Sequence, residues 1–106
     1  MPRSCCLLLT SLICLPTMAG TLPVERQQEL EYLLYQDCGS CHGMRLTGGL
    51  GPALTPEALA GKPRELLFDT IREGRSGTPM PPWKSLLGDD EIAWLVDYLM
   101  QEGKTP

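Results

Sequence analysis

Cys38-Gly39-Ser40-Cys41-His42 constrains this chain more than any other five residues. Two thiols three positions apart can each add to a vinyl group on one edge of a haem. The imidazole that follows at once is then placed under the iron. Cys-x-x-Cys-His is the spacing of covalent c-type haem attachment. A haem held this way and ligated on both faces carries single electrons rather than transforming a substrate. Two other readings use part of the motif. A redox dithiol wants a βαβ context, and nothing here alternates strand and helix. A closed zinc site wants four ligands. Beyond the leader described next, the chain offers two Cys and one His, so carboxylates or a second chain would have to complete that site.

Residues 1–19 read as a secretory signal peptide, leaving 20–106 as one monohaem domain. Arg3 and the amino terminus form the positive end, and residues 7–15 are the apolar stretch. Pro16 breaks that stretch, and Thr17-Met18-Ala19 places cleavage after Ala19. The run is too short to span a bilayer as a stable helix. Bulky Ile13 argues against lipid attachment at Cys14. Retention as an uncleaved anchor is the alternative. Cys5, Cys6 and Cys14 leave with the leader, so haem takes both remaining thiols, and neither a disulfide nor a free thiol is expected.

The 87 residues from Gly20 to Pro106 make one small domain. A core of this size rarely supplies more than about 3–5 kcal/mol without a staple. Phe68 is the single Phe, so the core must be mainly Leu with two Trp and three Tyr. Haem is the expected staple, and the haem-free chain is expected to fold poorly. Eight basic and 13 acidic residues give this domain a net charge of −5. Residues 20–44 contribute −3, residues 45–84 contribute +2 and residues 85–106 contribute −4. This pattern favours acidic back helices and a near-neutral or faintly positive electron-exchange face, ordinary solvated charge being the plainer reading. Nothing suggests nucleic-acid binding.

The chain reads as all-α. Pro23 can open a first helix, along which Leu30, Leu33, Leu34 and Asp37 follow at helical spacing into the cysteine motif. Residues 43–52 form a glycine-rich loop. Thr55 caps a short helix with Pro56 at its first position. Pro63 opens another, which Gly74 ends. The last helix spans about Asp89 to Gln101, with the stripe Ile92, Leu95, Val96 and Leu99 facing a core. Asp89, Asp90 and Glu91 sit in its first turn, where the helix dipole favours negative charge.

His42 is the single histidine, so a second histidine ligand within one subunit is excluded. The sixth ligand is Met, Lys, a terminal amine, water or nothing. Met44 lies too close to His42 to reach the opposite face of a porphyrin, and Met100 continues an apolar stripe where packing is the default role. Met80 stands in Gly77-Thr78-Pro79-Met80-Pro81-Pro82-Trp83, where three prolines stiffen the backbone. Met80 is therefore the expected distal ligand, against the plainer reading of a surface loop with an incidental Met. The Pro52 carbonyl is a candidate acceptor for the Nδ1 hydrogen of His42. Arg45, Arg75 and Trp83 are candidates to reach a haem propionate. Leu54, Leu59, Phe68, Ile71 and Leu95 are candidates to pack on haem.

Taken in order, four motifs resemble the small class I bacterial cytochromes c across residues 29–102: Cys38 to His42, Gly51-Pro52-Ala53-Leu54, Gly77 to Pro81, and Asp90 to Leu99. The resemblance implies an all-α fold in which the N- and C-terminal helices cross around a covalently bound haem. It implies one haem c on Cys38 and Cys41, with His42 proximal and Met80 distal. Gly88 departs from the pattern, because many relatives place a Ser or Thr helix cap there. The run from Cys38 to Leu54 is similar to the cytochrome c55X subgroup, encoded beside the haem d1-containing nitrite reductase of denitrifying bacteria. That likeness implies a periplasmic role in denitrification, by passing electrons to that nitrite reductase or by assisting haem d1 maturation; the leading reading is a non-enzymatic electron carrier with that nitrite reductase among its candidate redox partners. Two alternatives are an accessory factor in haem d1 maturation, and a sensor or enzyme whose iron opens to small ligands.

Overall fold

A computed structural model of the protein describes residues 22–101. The expected leader and its cleavage site lie outside them. Helix α1 (Val24–Leu33) runs without a break through one π-helical turn (Leu34–Cys38) into α2 (Gly39–His42). Helices α3 (Pro56–Leu59), α4 (Arg64–Glu73) and α5 (Asp89–Met100) follow. No strand occurs among the described residues, so the all-α expectation holds. Helices α1, α3 and α4 each pack on α5, which brings the first and last helices together as the class I cytochrome c fold requires. No helix among the described residues is long and apolar enough to cross a membrane.

The helix starts follow from local chemistry, with one shift. Pro23 and Pro63 stand one residue before their helices, with ψ of 146° and 138°. The Pro23 carbonyl accepts the Gln27 N–H at 3.0 Å, and the Pro63 carbonyl accepts the Leu66 N–H at 3.1 Å. Each proline thus supplies the first acceptor while having no amide hydrogen to leave unpaired. Pro56 does occupy a first helical position, and Thr55 Oγ1 accepts the Ala58 N–H at 3.2 Å. At Gly88, which has no side chain to cap with, the acidic first turn of α5 compensates. Glu91 Oε1 accepts the Gly88 N–H at 3.0 Å, and Asp90 Oδ1 accepts the Glu91 N–H at 2.9 Å.

The buried core is aliphatic: Leu30, Leu34, Leu46, Leu59, Leu87, Ile92, Leu95, Val96 and Leu99. The whole predicted stripe of α5 is in it. Burying such a side chain stabilises by roughly 1.5–3 kcal/mol. Tyr35, Phe68, Trp83, Trp94 and Tyr98 close the sides, half-buried against this cluster. Polar pairs hold α1 on α5. Arg26 bridges Glu91 and Glu29. The Tyr98 hydroxyl donates to Glu31 Oε1 at 2.8 Å, lies 3.2 Å from the Tyr35 hydroxyl and belongs to a ring stacked on Trp94. Arg64–Asp97 and Arg72–Asp89 tie α4 to α5.

Candidate haem-binding site

The cysteine motif sits where the first helical segment ends. The π turn closes at Cys38, and α2 carries Cys41 and His42. A helix end leaves carbonyls without intrahelical donors, and here the glycine-rich loop folds back to supply them. Gly48 N–H donates to the His42 carbonyl, and Gly51 N–H to the Cys41 carbonyl, both at 2.8 Å. Leu54 N–H donates to the Leu46 carbonyl at 2.8 Å, which closes the loop. Leu46 adopts φ +60°, uncommon for a bulky residue, and places its side chain in the core.

This fold-back carries Pro52 onto the histidine. Its carbonyl oxygen lies 2.7 Å from His42 Nδ1. A carbonyl can only accept, so Nδ1 carries the hydrogen and Nε2 keeps its lone pair for a metal. Gly51 makes the approach possible. A Cβ there would stand 2.8 Å from both Cε1 and Nδ1 of the ring.

Cys38 and Cys41 are free and half-buried. Burial, with a smaller contribution from Asp37, pushes the Cys38 thiol up to about 11. A reactive dithiol needs the opposite shift. Among the described residues no three His, Cys, Asp or Glu gather as a metal-holding group, so no described carboxylate completes a zinc site with Cys38, Cys41 and His42. Two unpaired thiols, an imidazole with a fixed tautomer and a neighbouring aliphatic core fit a covalently attached haem.

The methionines occupy different settings. Met44 is exposed, its Sδ close enough to touch a Cβ built at Gly39. Met100 packs against the core from α5. Half-buried Met80 lies in the loop that leaves α4. Its carbonyl accepts the Arg75 N–H at 3.2 Å, and its N–H donates to Thr78 Oγ1 at 3.3 Å. Beyond it, Trp83 N–H donates to the Ile71 carbonyl at 3.0 Å, so the chain returns along the end of α4. Trp83 packs on the core. Arg45 and Arg75 are exposed and form no ion pair among the described residues, whereas Arg26, Arg64, Arg72 and Lys84 all do. Leu59 and Leu95 are buried, and Leu54, Phe68 and Ile71 flank the same cluster. Sequence reasoning missed the close approach at Gly51 and the core roles of Leu46 and Leu87. Both leucines are loop residues outside any helical period, and no sequence signal marks them.

Comparison with known proteins agrees with this geometry. A family model described as cytochrome c oxidase, cbb3-type, subunit III matches residues 25–99. Cytochrome c55X of Pseudomonas aeruginosa is 62% identical over 88 residues, which cover 82% of this chain and 74% of that protein. The solved structure of the c-type cytochrome NirC has 61% identity and a TM-score of 0.77, over 80% of this chain and all of that one. The solved dihydro-heme d1 dehydrogenase NirN, in complex with DHE, matches 72% of this chain at 36% identity and TM-score 0.64, through only 16% of its own length. Fold and likeness thus converge, and the chain belongs to the c-type cytochromes, within the cytochrome c55X group.

Proposed function

We propose that this protein carries single electrons in the periplasm on one haem c, bound through Cys38 and Cys41 with His42 and Met80 as axial ligands. The observation that carries the proposal is the 2.7 Å contact between His42 Nδ1 and the Pro52 carbonyl, which fixes the imidazole tautomer and leaves the Nε2 lone pair for iron. The bound haem supplies a one-electron couple, whose potential is raised when a thioether replaces a second imidazole. The chain attaches it, orients the proximal imidazole, seals one side with leucines and offers Trp83, Arg45 and Arg75 to its propionates. A sixth ligand from the protein keeps small molecules off the iron, which favours a carrier over a sensor or an enzyme.

The partner reading follows the relatives. Cytochrome c55X and NirC likeness supports a role in denitrification, delivering electrons to the haem d1-containing nitrite reductase through a small, quickly dissociating interface. The likeness to part of dihydro-heme d1 dehydrogenase favours a second reading, service in haem d1 maturation. Export on a cleaved leader, with no anchor left behind, completes the proposal.

The test is purification from cells competent in cytochrome assembly. The pigment should survive acidified acetone, and the ferric protein should show the thioether-to-iron band. Met80→Ala should keep the haem, lose the band, bind carbon monoxide when ferrous and lower the potential. An unchanged ferric spectrum in Met80→Ala removes Met80 from the iron. Deleting the gene separates the partner readings: slowed electron delivery to nitrite reductase with normal haem d1 content supports the carrier, and loss of haem d1 supports the maturation role.

A further inference from the structure

We infer that Gly74 is a positioning residue for Met80, and that its close packing, with the hydrogen bonds of Arg75 and Thr78, latches the ligand loop to the end of α4. The inference rests on the reading of Met80 as distal ligand.

Gly74 ends α4 at φ +69° and ψ −168°, a region open almost only to glycine. The residue is packed face-on against the loop it introduces. A Cβ at Gly74 would stand 2.8 Å from the Met80 carbonyl oxygen, 2.6 Å from the Pro81 carbonyl carbon and 2.7 Å from the Pro82 nitrogen. All three are backbone atoms, so no side chain can swing aside to admit it. Two prolines follow Met80 directly, and their fixed φ leaves the loop few ways to yield locally. The segment would have to move as a body, and Met80 with it.

Hydrogen bonds close the other side of the turn. Arg75 N–H donates to the Met80 carbonyl at 3.2 Å. The Thr78 hydroxyl donates to the Arg75 carbonyl at 2.7 Å and accepts the Met80 N–H at 3.3 Å. Trp83 N–H to the Ile71 carbonyl, and Lys84 N–H to the Arg72 carbonyl, hold the returning strand of chain. Met80 is thereby fixed by its own backbone on both its carbonyl and its amide side.

Gly77 provides the control. It flanks the same loop at φ +76°, yet a Cβ there would meet nothing within 4 Å. Gly74→Ala, Gly77→Ala and Thr78→Val are prepared as holoprotein beside Met80→Ala. Gly74→Ala is expected to weaken the ferric thioether band, lower the potential and speed carbon monoxide binding by about tenfold, since the ligand captures the open fraction of the iron. Gly77→Ala is expected to lose thermal stability alone, with band and potential kept. Thr78→Val should speed carbon monoxide binding without disturbing the helices, and it carries the test if Gly74→Ala yields no folded holoprotein. A Gly74→Ala protein spectrally identical to Gly77→Ala overturns the inference, as does Thr78→Val with the parent's binding rate when Gly74→Ala fails to fold. A Met80→Ala protein with the parent spectrum instead overturns the ligand reading beneath it.

Discussion

Replacing Gly51 with Ala tests whether the loop truly sets the proximal imidazole. The added Cβ would lie 2.8 Å from Cε1 and Nδ1 of His42 and 3.3 Å from Nε2. Nonbonded heavy atoms settle at about 3.5–4.0 Å, so the shortfall is roughly 0.7 Å or more. The loop is pinned by Gly51 N–H to the Cys41 carbonyl at 2.8 Å and by Gly49 N–H to the Gly51 carbonyl at 3.0 Å, so the ring is the part that gives. A displacement of that size stretches the 2.7 Å bond to Pro52 beyond the usual N–H···O range of about 2.7–3.2 Å. Losing it costs on the order of 1 kcal/mol. That bond makes the imidazole more basic and so favours ferric iron. Weakening it raises the potential, by at most about 40 mV if the whole 1 kcal/mol acts on one redox state. Potentiometric titration of holoprotein, followed by the visible spectrum, measures the shift. Gly61→Ala serves as reference, because Gly61 has φ +77° and open space around it. A potential that stays at the parent value, or falls, would refute the claim that Gly51 and Pro52 orient His42.

Two further outcomes concern the scaffold. Leu30→Ala removes a side chain with no exposed surface and should cost about 2–5 kcal/mol; a holoprotein melting temperature within a degree or two of the parent would contradict the core assignment. Glu91→Gln breaks the link to Arg26. The Arg26 guanidinium, and then the Gly88 N–H, hold the Glu91 carboxyl below the usual carboxylate range. A depressed folded pKa gives stability that is present above the unfolded value near pH 4.3 and is lost as pH falls through the folded value. The variant should therefore be less stable than the parent at pH 7, and the two should converge in acid. Denaturant midpoints measured from pH 7 down to pH 3 check this, and a gap that widens on acidification is incompatible with it.

The candidate haem residues are legible because their signal is local. The candidate attachment residues Cys38, Cys41 and His42 are marked by spacing within one turn, and the stripe Ile92, Leu95, Val96 and Leu99 by helical period. Proline marked the starts of α1, α3 and α4 to within one residue. The sequence also pointed to Pro52 as partner of His42, and the structure places its carbonyl there. Gly88 reads as a missing cap, but Asp90 and Glu91 fill that role, because first-turn carboxylates can reach the same amides.

What only tertiary structure decided are approaches between segments far apart or folded back. That Gly51 lies on an imidazole and Gly74 on the Met80–Pro82 backbone depends on distances that no spacing encodes. Leu46 and Leu87 enter the core from loops, where direction is set by the closure of the chain and not by a repeat. The sequence by itself determined which chemistry the site is proposed to do, since bonding geometry travels with neighbouring residues. The fold decided how tightly each loop at the candidate site is held, since packing is settled only when distant backbone atoms compete for the same space.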